Sequence, residues 1–253
     1  MFNQLLLLFL NYARYKRGDA YKQAIIESGK QYFRSIIIPN HLKNLNKLHL
    51  SSFDINPFLI NYLAAFIKED SQIIGLAKAL VYPYIYDKVI DASSEQNVQS
   101  LVSLLQEVTG GASNFDGIDF EFVDAVDGRR KFCQFKAGVK TINKDDIASV
   151  LCHFKPLISQ QSLDLQFEDL VVGVLYGEKD NLSDYYKTIA THYPVLCGSD
   201  FWQHLTGDKN FYARLLKAMG EVLDLGDFEG SELIQAPIEE IAEEIKQECC
   251  LIL

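Results

Sequence analysis

The sequence has no Gly-rich phosphate loop, no GxSxG elbow and no CxxC pair. Those absences leave nucleotide hydrolysis, serine hydrolase chemistry and a cysteine-built zinc site without a foundation. Its five histidines, His41, His49, His153, His192 and His204, show no metal-ligand spacing, which removes the other route to zinc. Cysteines are few and odd in number, at Cys133, Cys152, Cys197, Cys249 and Cys250, and read as reduced thiols of a cytoplasmic protein, not as a disulfide framework. Cys250 to Leu253 formally fits a prenylation tail, a four-residue pattern that arises often by chance. Long apolar runs are also missing. Leu5 to Leu10 is too short to span a bilayer, and it lacks the basic lead and small-residue cleavage site of a signal peptide, so no membrane association is expected. Basic residues are outnumbered, 24 Lys+Arg against 34 Asp+Glu for a net charge of −10, which on its face disfavours a polyanionic partner.

What is present is enough for a large core: 253 residues, 48% hydrophobic and 12% aromatic, sufficient for one large domain or two small ones. The charge is also uneven. Residues 1–48 carry 8 Lys+Arg against 2 Asp+Glu, whereas residues 221–253 carry 1 Lys against 10 acids. The sum therefore conceals a basic N-terminal part that could face DNA and an acidic tail that could face water.

The most informative stretch is residues 114–143, NFDGIDFEFVDAVDGRRKFCQFKAGVKTIN. Two alternating runs, Gly117 to Asp124 and Lys131 to Gly138, flank Asp127-Gly128, a strong signal for a two-residue hairpin turn. With those two residues at the centre of the turn, Asp119 faces Lys136 and Glu121 faces Gln134. Alternation then puts these four polar groups on one face and Ile118, Phe120, Phe122, Cys133 and Phe135 on the other. A carboxylate on one strand and an oxygen ligand two residues before a lysine on the next can hold Mg²⁺. The lysine can orient a water and stabilise charge on a phosphate under attack. A plain half-exposed hairpin with solvated charges is the competing reading.

Ile118-Asp119 followed by Gln134-Phe135-Lys136 resembles the core of PD-(D/E)XK nucleases. Gln134 departs from the usual acid, so another carboxylate is needed to make up the charge. Glu121, by the hairpin register, and Glu107, in the last turn of a preceding helix, are the candidates. The resemblance extends to INPF at Ile55 to Phe58, TIN at Thr141 to Asn143, VVGVLYG at Val171 to Gly177, LSDYY at Leu182 to Tyr186 and FWQHLTG at Phe201 to Gly207. In that order, over roughly residues 51–220, the chain is similar to type II restriction endonucleases of the group that recognises RGGNCCY-like degenerate palindromes. The resemblance implies an α/β fold with a central mixed sheet and homodimers that cut double-stranded DNA with Mg²⁺. It also implies a cognate DNA methyltransferase as a functional, not physical, partner. Carried over by position, Asp119, Gln134 and Lys136 form the active-site trio, with the Phe135 carbonyl as a further metal ligand. Lys140, Lys144, Arg129 and Arg130 are candidates for contact with the DNA backbone. The alternatives are a nuclease fold that has lost its chemistry and a purely structural domain.

Along the chain, helices are expected within Phe2 to Phe33, ending at Ile36 to Pro39, and Lys43 to Leu50 reads as a linker or short strand. Phe58 to Lys68 shows an apolar stripe at Leu59, Tyr62, Leu63 and Phe66, and Ile73 to Tyr86 reads as a helix interrupted at Pro83. Ser94 to Glu107 is a helix ended by Gly110-Gly111, and Lys144 to Phe154 a helix capped by Asn143. Asp169 to Gly177 has the continuous apolar, β-branched character of a strand buried on both faces. Leu182 to Ala190 reads as a helix, Tyr193 to Cys197 as a second buried strand, and Asp200 to Leu223 as the helices that follow. Ile238 to Gln247 reads as an acidic amphipathic helix that packs peripherally. The expected organisation is a helical region over 1–92 for DNA contact or dimerisation, a nuclease core over 93–225, and the acidic helix of 226–253.

Overall fold

The computed structural model describes residues 18–65, 67, 71–91, 95–159, 164–222 and 230–248. The Leu5 to Leu10 run, Arg14, Lys16, Arg17, Phe66 and the Cys249-Cys250 tail lie outside them. The chain divides into two compact units, Met1–Tyr32 with Val98–Met219 and Phe33–Asn97 with Gly220–Leu253.

The first unit is built on a four-stranded sheet in the order β1 (Phe120–Val123), β2 (Arg130–Gly138), β3 (Leu170–Tyr176), β4 (Val195–Cys197). β1 runs antiparallel to β2, and the other neighbours are parallel. Parallel neighbours need crossovers, supplied here by the helices Lys144–Ile158 and Asp184–Ala190. Among the described residues the α-helices are, in chain order, α1 (Asp19–Tyr32), α2 (Ile38–Leu45), α3 (Pro57–Ala64), α4 (Gln72–Asp91), α5 (Glu95–Thr109), α6 (Lys144–Ile158), α7 (Asp184–Ala190), α8 (Ser199–Thr206), α9 (Phe211–Gly220) and α10 (Gly230–Glu248). One sheet face, with Phe120, Phe122, Cys133, Phe135 and Val171, packs on Ile25 and Ile26 of α1, Val102 and Leu105 of α5 and Phe201 and Trp202 of α8. The other, with Phe132, Val172, Val174 and Val195, packs on Val150 and Phe154 of α6 and Tyr186 and Ile189 of α7. Central strands covered on both sides carry near-continuous apolar sequence, and β3 is buried from Leu170 to Val174, as its composition led one to expect.

The hairpin register differs from the expectation by two residues. Phe120 pairs with Cys133 and Glu121 with Phe132. The connection holds four residues, closed by Asp124 N–H donating to the Arg129 carbonyl at 2.8 Å. Two aspartates make it so. Asp124 Oδ1 accepts from Val126 N–H and Asp127 Oδ1 from Arg129 N–H, both at 2.8 Å, while Gly128 supplies a φ of +75°. Such side-chain-capped turns compete with the two-residue loop. An even slip preserves which residues share a face, so Asp119, Gln134 and Lys136 stay together, but Glu121 does not face Gln134. Ile118 sits in the core on the far side from Phe120, and the face bearing the polar residues is covered by α6 and α7, not solvated.

α6 starts where Asn143 predicts. Its side chain accepts from Asp145 N–H (2.7 Å) and Asp146 N–H (3.3 Å), and Asp146 returns a bond to Asn143 N–H at 2.9 Å. This reciprocal cap fixes the first turn. Asn143→Ala is expected to lower stability by about 1 kcal/mol, read as a lower urea midpoint with unchanged slope.

The second unit holds α2, α3, α4 and α10. Ile36 to Pro39 does not end a helix; a π-helical turn, Phe33–Ile37, runs straight into α2, whose first turn accepts Pro39 because no N–H is needed there. Lys43 to Leu50 is the end of α2, a linking turn over Asn46 to His49 and the first residue of a 3₁₀ turn, so the linker reading holds and the strand reading does not. α4 continues through Pro83, held by its buried Leu76, Ala77, Ala79, Leu80 and Val81. α10 is not peripheral: Ile238, Ile241, Ala242 and Ile245 are buried in the same core. On α3 the expected stripe is reversed, with Leu59, Tyr62 and Leu63 exposed and Ile60 buried. Apolar residues surround that helix, so periodicity does not choose its inward face.

Candidate active site

Asp119 stands immediately before β1 and is fixed at three points. Its N–H donates to the Cys133 carbonyl (2.9 Å), its carbonyl accepts from Gln106 Nε2 of α5 (2.6 Å), and its Oδ2 accepts from Phe135 N–H (2.6 Å). Burial raises the Asp119 carboxyl above its usual range, against the pull of the Phe135 N–H, Lys136 and His153. A carboxylate held partly desolvated in this way is well suited to a cation. By the observed register, the residue opposite Asp119 on β2 is Gln134.

Gln134 is 6% exposed, and its Nε2 lies 3.0 Å from His153 Nδ1 of α6. Its Oε1 is buried with no hydrogen-bond partner. An oxygen so placed costs about 1–3 kcal/mol unless something takes it up. Gln134 stands opposite Asp119 by the register, and an amide oxygen and a carboxylate are both hard donors of the kind Mg²⁺ takes. Among the described residues no three His, Cys, Asp or Glu side chains converge as a metal site. Phe135, whose N–H already serves Asp119, turns its carbonyl toward the same strand edge.

Lys136, on the same face of β2, reaches Asp146 Oδ1 at 3.0 Å. Burial works against the Asp146 carboxylate, but the Asn143 N–H and Lys136 outweigh it and hold its pKa below the usual value. The cap of α6 therefore also holds the lysine.

The remaining predicted residues are placed differently. Glu107 is exposed in the last turn of α5, where its neighbour Gln106 makes the bond to Asp119. Glu121 accepts from Ser113 Oγ at 2.7 Å and is paired with Arg130, which also lies over the Phe132 ring. Arg129 grips Asp169 with two nitrogens. Both arginines thus have intramolecular partners, while Lys140 and Lys144 stand exposed beyond β2.

His153 was not singled out by spacing. The available signal is its position at i+3 from Val150 and i−4 from Leu157, a polar residue beside the buried stripe of α6.

An α/β core with a mixed four-stranded sheet between helices is consistent with a restriction-endonuclease fold. Residues 30–223 match the family model of the type II restriction endonuclease EcoO109I. The chain belongs to that family of site-specific DNA nucleases. No curated protein matches it. Among the described residues no helix is long and apolar enough to cross a membrane.

Proposed function

We propose that the protein is a PD-(D/E)XK endonuclease that hydrolyses phosphodiester bonds of double-stranded DNA at a short palindromic site, with Mg²⁺. The observation that carries this reading is the orphaned Gln134 Oε1 beside the anchored Asp119. Asp119 and Gln134 hold the ion, the Phe135 carbonyl adds a ligand, and Glu107 is the carboxylate available to offset the neutral amide. When bound, Mg²⁺ polarises the phosphate and offsets charge on the leaving oxygen. Lys136, steadied by Asp146, orients the attacking water and stabilises the negative charge that grows on the phosphoryl oxygens. A site of the RGGNCCY type suits the family, as does a homodimer, whose two-fold symmetry matches a palindrome. Lys140 and Lys144, exposed just beyond Lys136, contact the backbone.

The test is digestion of long unmethylated DNAs of known sequence with Mg²⁺, in parallel with EDTA. Discrete bands that disappear in EDTA are expected, and their ends give the site. Binding at low salt with no cleavage would instead identify an inactive nuclease fold.

A further inference from the structure

A carboxylate offers oxygen at both ends, but an amide offers oxygen at one and an N–H donor at the other. In a site that uses glutamine as a cation ligand, something has to decide which end faces inward. We infer that His153 is the positioning residue that does so: by accepting from the Gln134 amide N–H₂, it leaves Oε1 as the inward-facing ligand.

Three observations carry the inference. Gln134 Nε2 lies 3.0 Å from His153 Nδ1, while Oε1 is the buried atom left without a partner. The solvent-exposed Asp116 Oδ2 lies 4.0 Å from the other ring nitrogen, Nε2, beyond hydrogen-bond distance, and its charge on that side is in keeping with a hydrogen on Nε2 and a lone pair on Nδ1. The ring is also confined. Gly117 has φ +70°, and a Cβ there would come 2.1 Å from His153 Cγ, so the loop just before Asp119 lies against the imidazole. Ser149 Oγ, one turn earlier on α6, is 3.5 Å from Nδ1 and is a weaker second donor to it. The loop that leads into Asp119 therefore also holds the ring that orients Gln134.

The inference rests on the metal-dependent reading above, and its test separates the two. Mn²⁺ affinity of the full-length protein is measured by electron paramagnetic resonance for wild type, His153→Phe, His153→Asn, Gln134→Glu and the Gln134→Glu/His153→Phe double variant. His153→Phe, which keeps the ring and removes the acceptor, is expected to weaken Mn²⁺ binding about 10-fold or more. His153→Asn, whose oxygen falls near the Nδ1 position, restores most of it. In the Gln134→Glu background, where both ends are oxygen, His153→Phe changes affinity less than about threefold. Equal binding by wild type and His153→Phe overturns the inference, as does an equal loss in both backgrounds, because a merely structural role would not distinguish glutamine from glutamate. A wild type that takes up no Mn²⁺ overturns the metal reading itself. If the phenyl ring is not tolerated, as judged by circular dichroism, His153→Leu replaces it in both backgrounds.

Discussion

Replacing Lys136 with alanine, or Asp119 with asparagine, is expected to lower Mg²⁺-dependent DNA cleavage by about a hundredfold to a thousandfold or more while the protein remains folded. Removing one preorganised charge-stabilising donor from a catalytic site typically costs two to three orders of magnitude, and a metal-holding carboxylate at least as much. Neither change opens the core. Lys136 is part-exposed and leaves behind an Asp146 that keeps its bond to Asn143 N–H. Asparagine at 119 retains one oxygen for the Phe135 N–H and loses the charge and the second acceptor oxygen. Single-turnover cleavage and thermal unfolding, measured on the same preparations, give the answer. A near-normal rate in either variant would remove that residue from the mechanism.

The largest expected loss of stability lies away from the candidate site, at Asp169. Its side chain is 1% exposed and is gripped by Arg129; its Oδ2 accepts from Gln166 N–H at 2.9 Å, and Lys131 Nζ lies 3.6 Å from Oδ1. Lys131, 4% exposed, also reaches Asp127 Oδ2 at 2.5 Å and lies 3.8 Å from Asp124 Oδ2. Asp169→Ala removes the buried acceptor shared by Arg129, the Gln166 N–H and Lys131; Lys131 keeps Asp127 and Asp124, so the expected cost is that of the lost charge-assisted bonds, about 2–3 kcal/mol. Urea unfolding should show this, and a loss below about 1 kcal/mol would mean the network relaxes. The pH dependence has a definite sign. Burial pushes the Asp169 carboxyl up, but Arg129, the Gln166 N–H and Lys131 outweigh it and hold its pKa below the usual range. Its contribution is therefore present above the unfolded value of about 4 and lost as pH falls through the lower folded value.

Within β1 and β2, which residues share a strand face was legible in the sequence, because alternation survives an even error in register; Ile118, just before β1, is the exception and packs with the opposite core. Asp119, Gln134 and Lys136 are neighbours for that reason. The loop length was not legible, since Asp124 is buried and bonded to His204 at 2.7 Å, a partner 80 positions away that no local turn rule contains. Glu121 fell out of the site with the register. The caps at Asn143 and Gly110-Gly111 are local chemistry and stand where expected. His153 depended on α6 being laid across the sheet, and α10 was misplaced because an acidic exposed face says nothing about how deeply the opposite face is buried.

The core of the second unit is assembled from Phe33–Asn97 and Gly220–Leu253. A ribosome delivers these in two instalments, with Val98–Met219, which holds every strand of the sheet, in between. At translation rates of about 5–20 residues per second, the apolar side of α4 waits on the order of ten seconds before α10 emerges to cover it. During that interval the sheet-bearing unit has all its strands and can close first. The nascent chain thus passes through a stage in which the candidate site is formed and Leu76, Leu80 and Val81 still lack the α10 residues that bury them, a stage at which a chaperone, or a second nascent chain, has the most surface to hold.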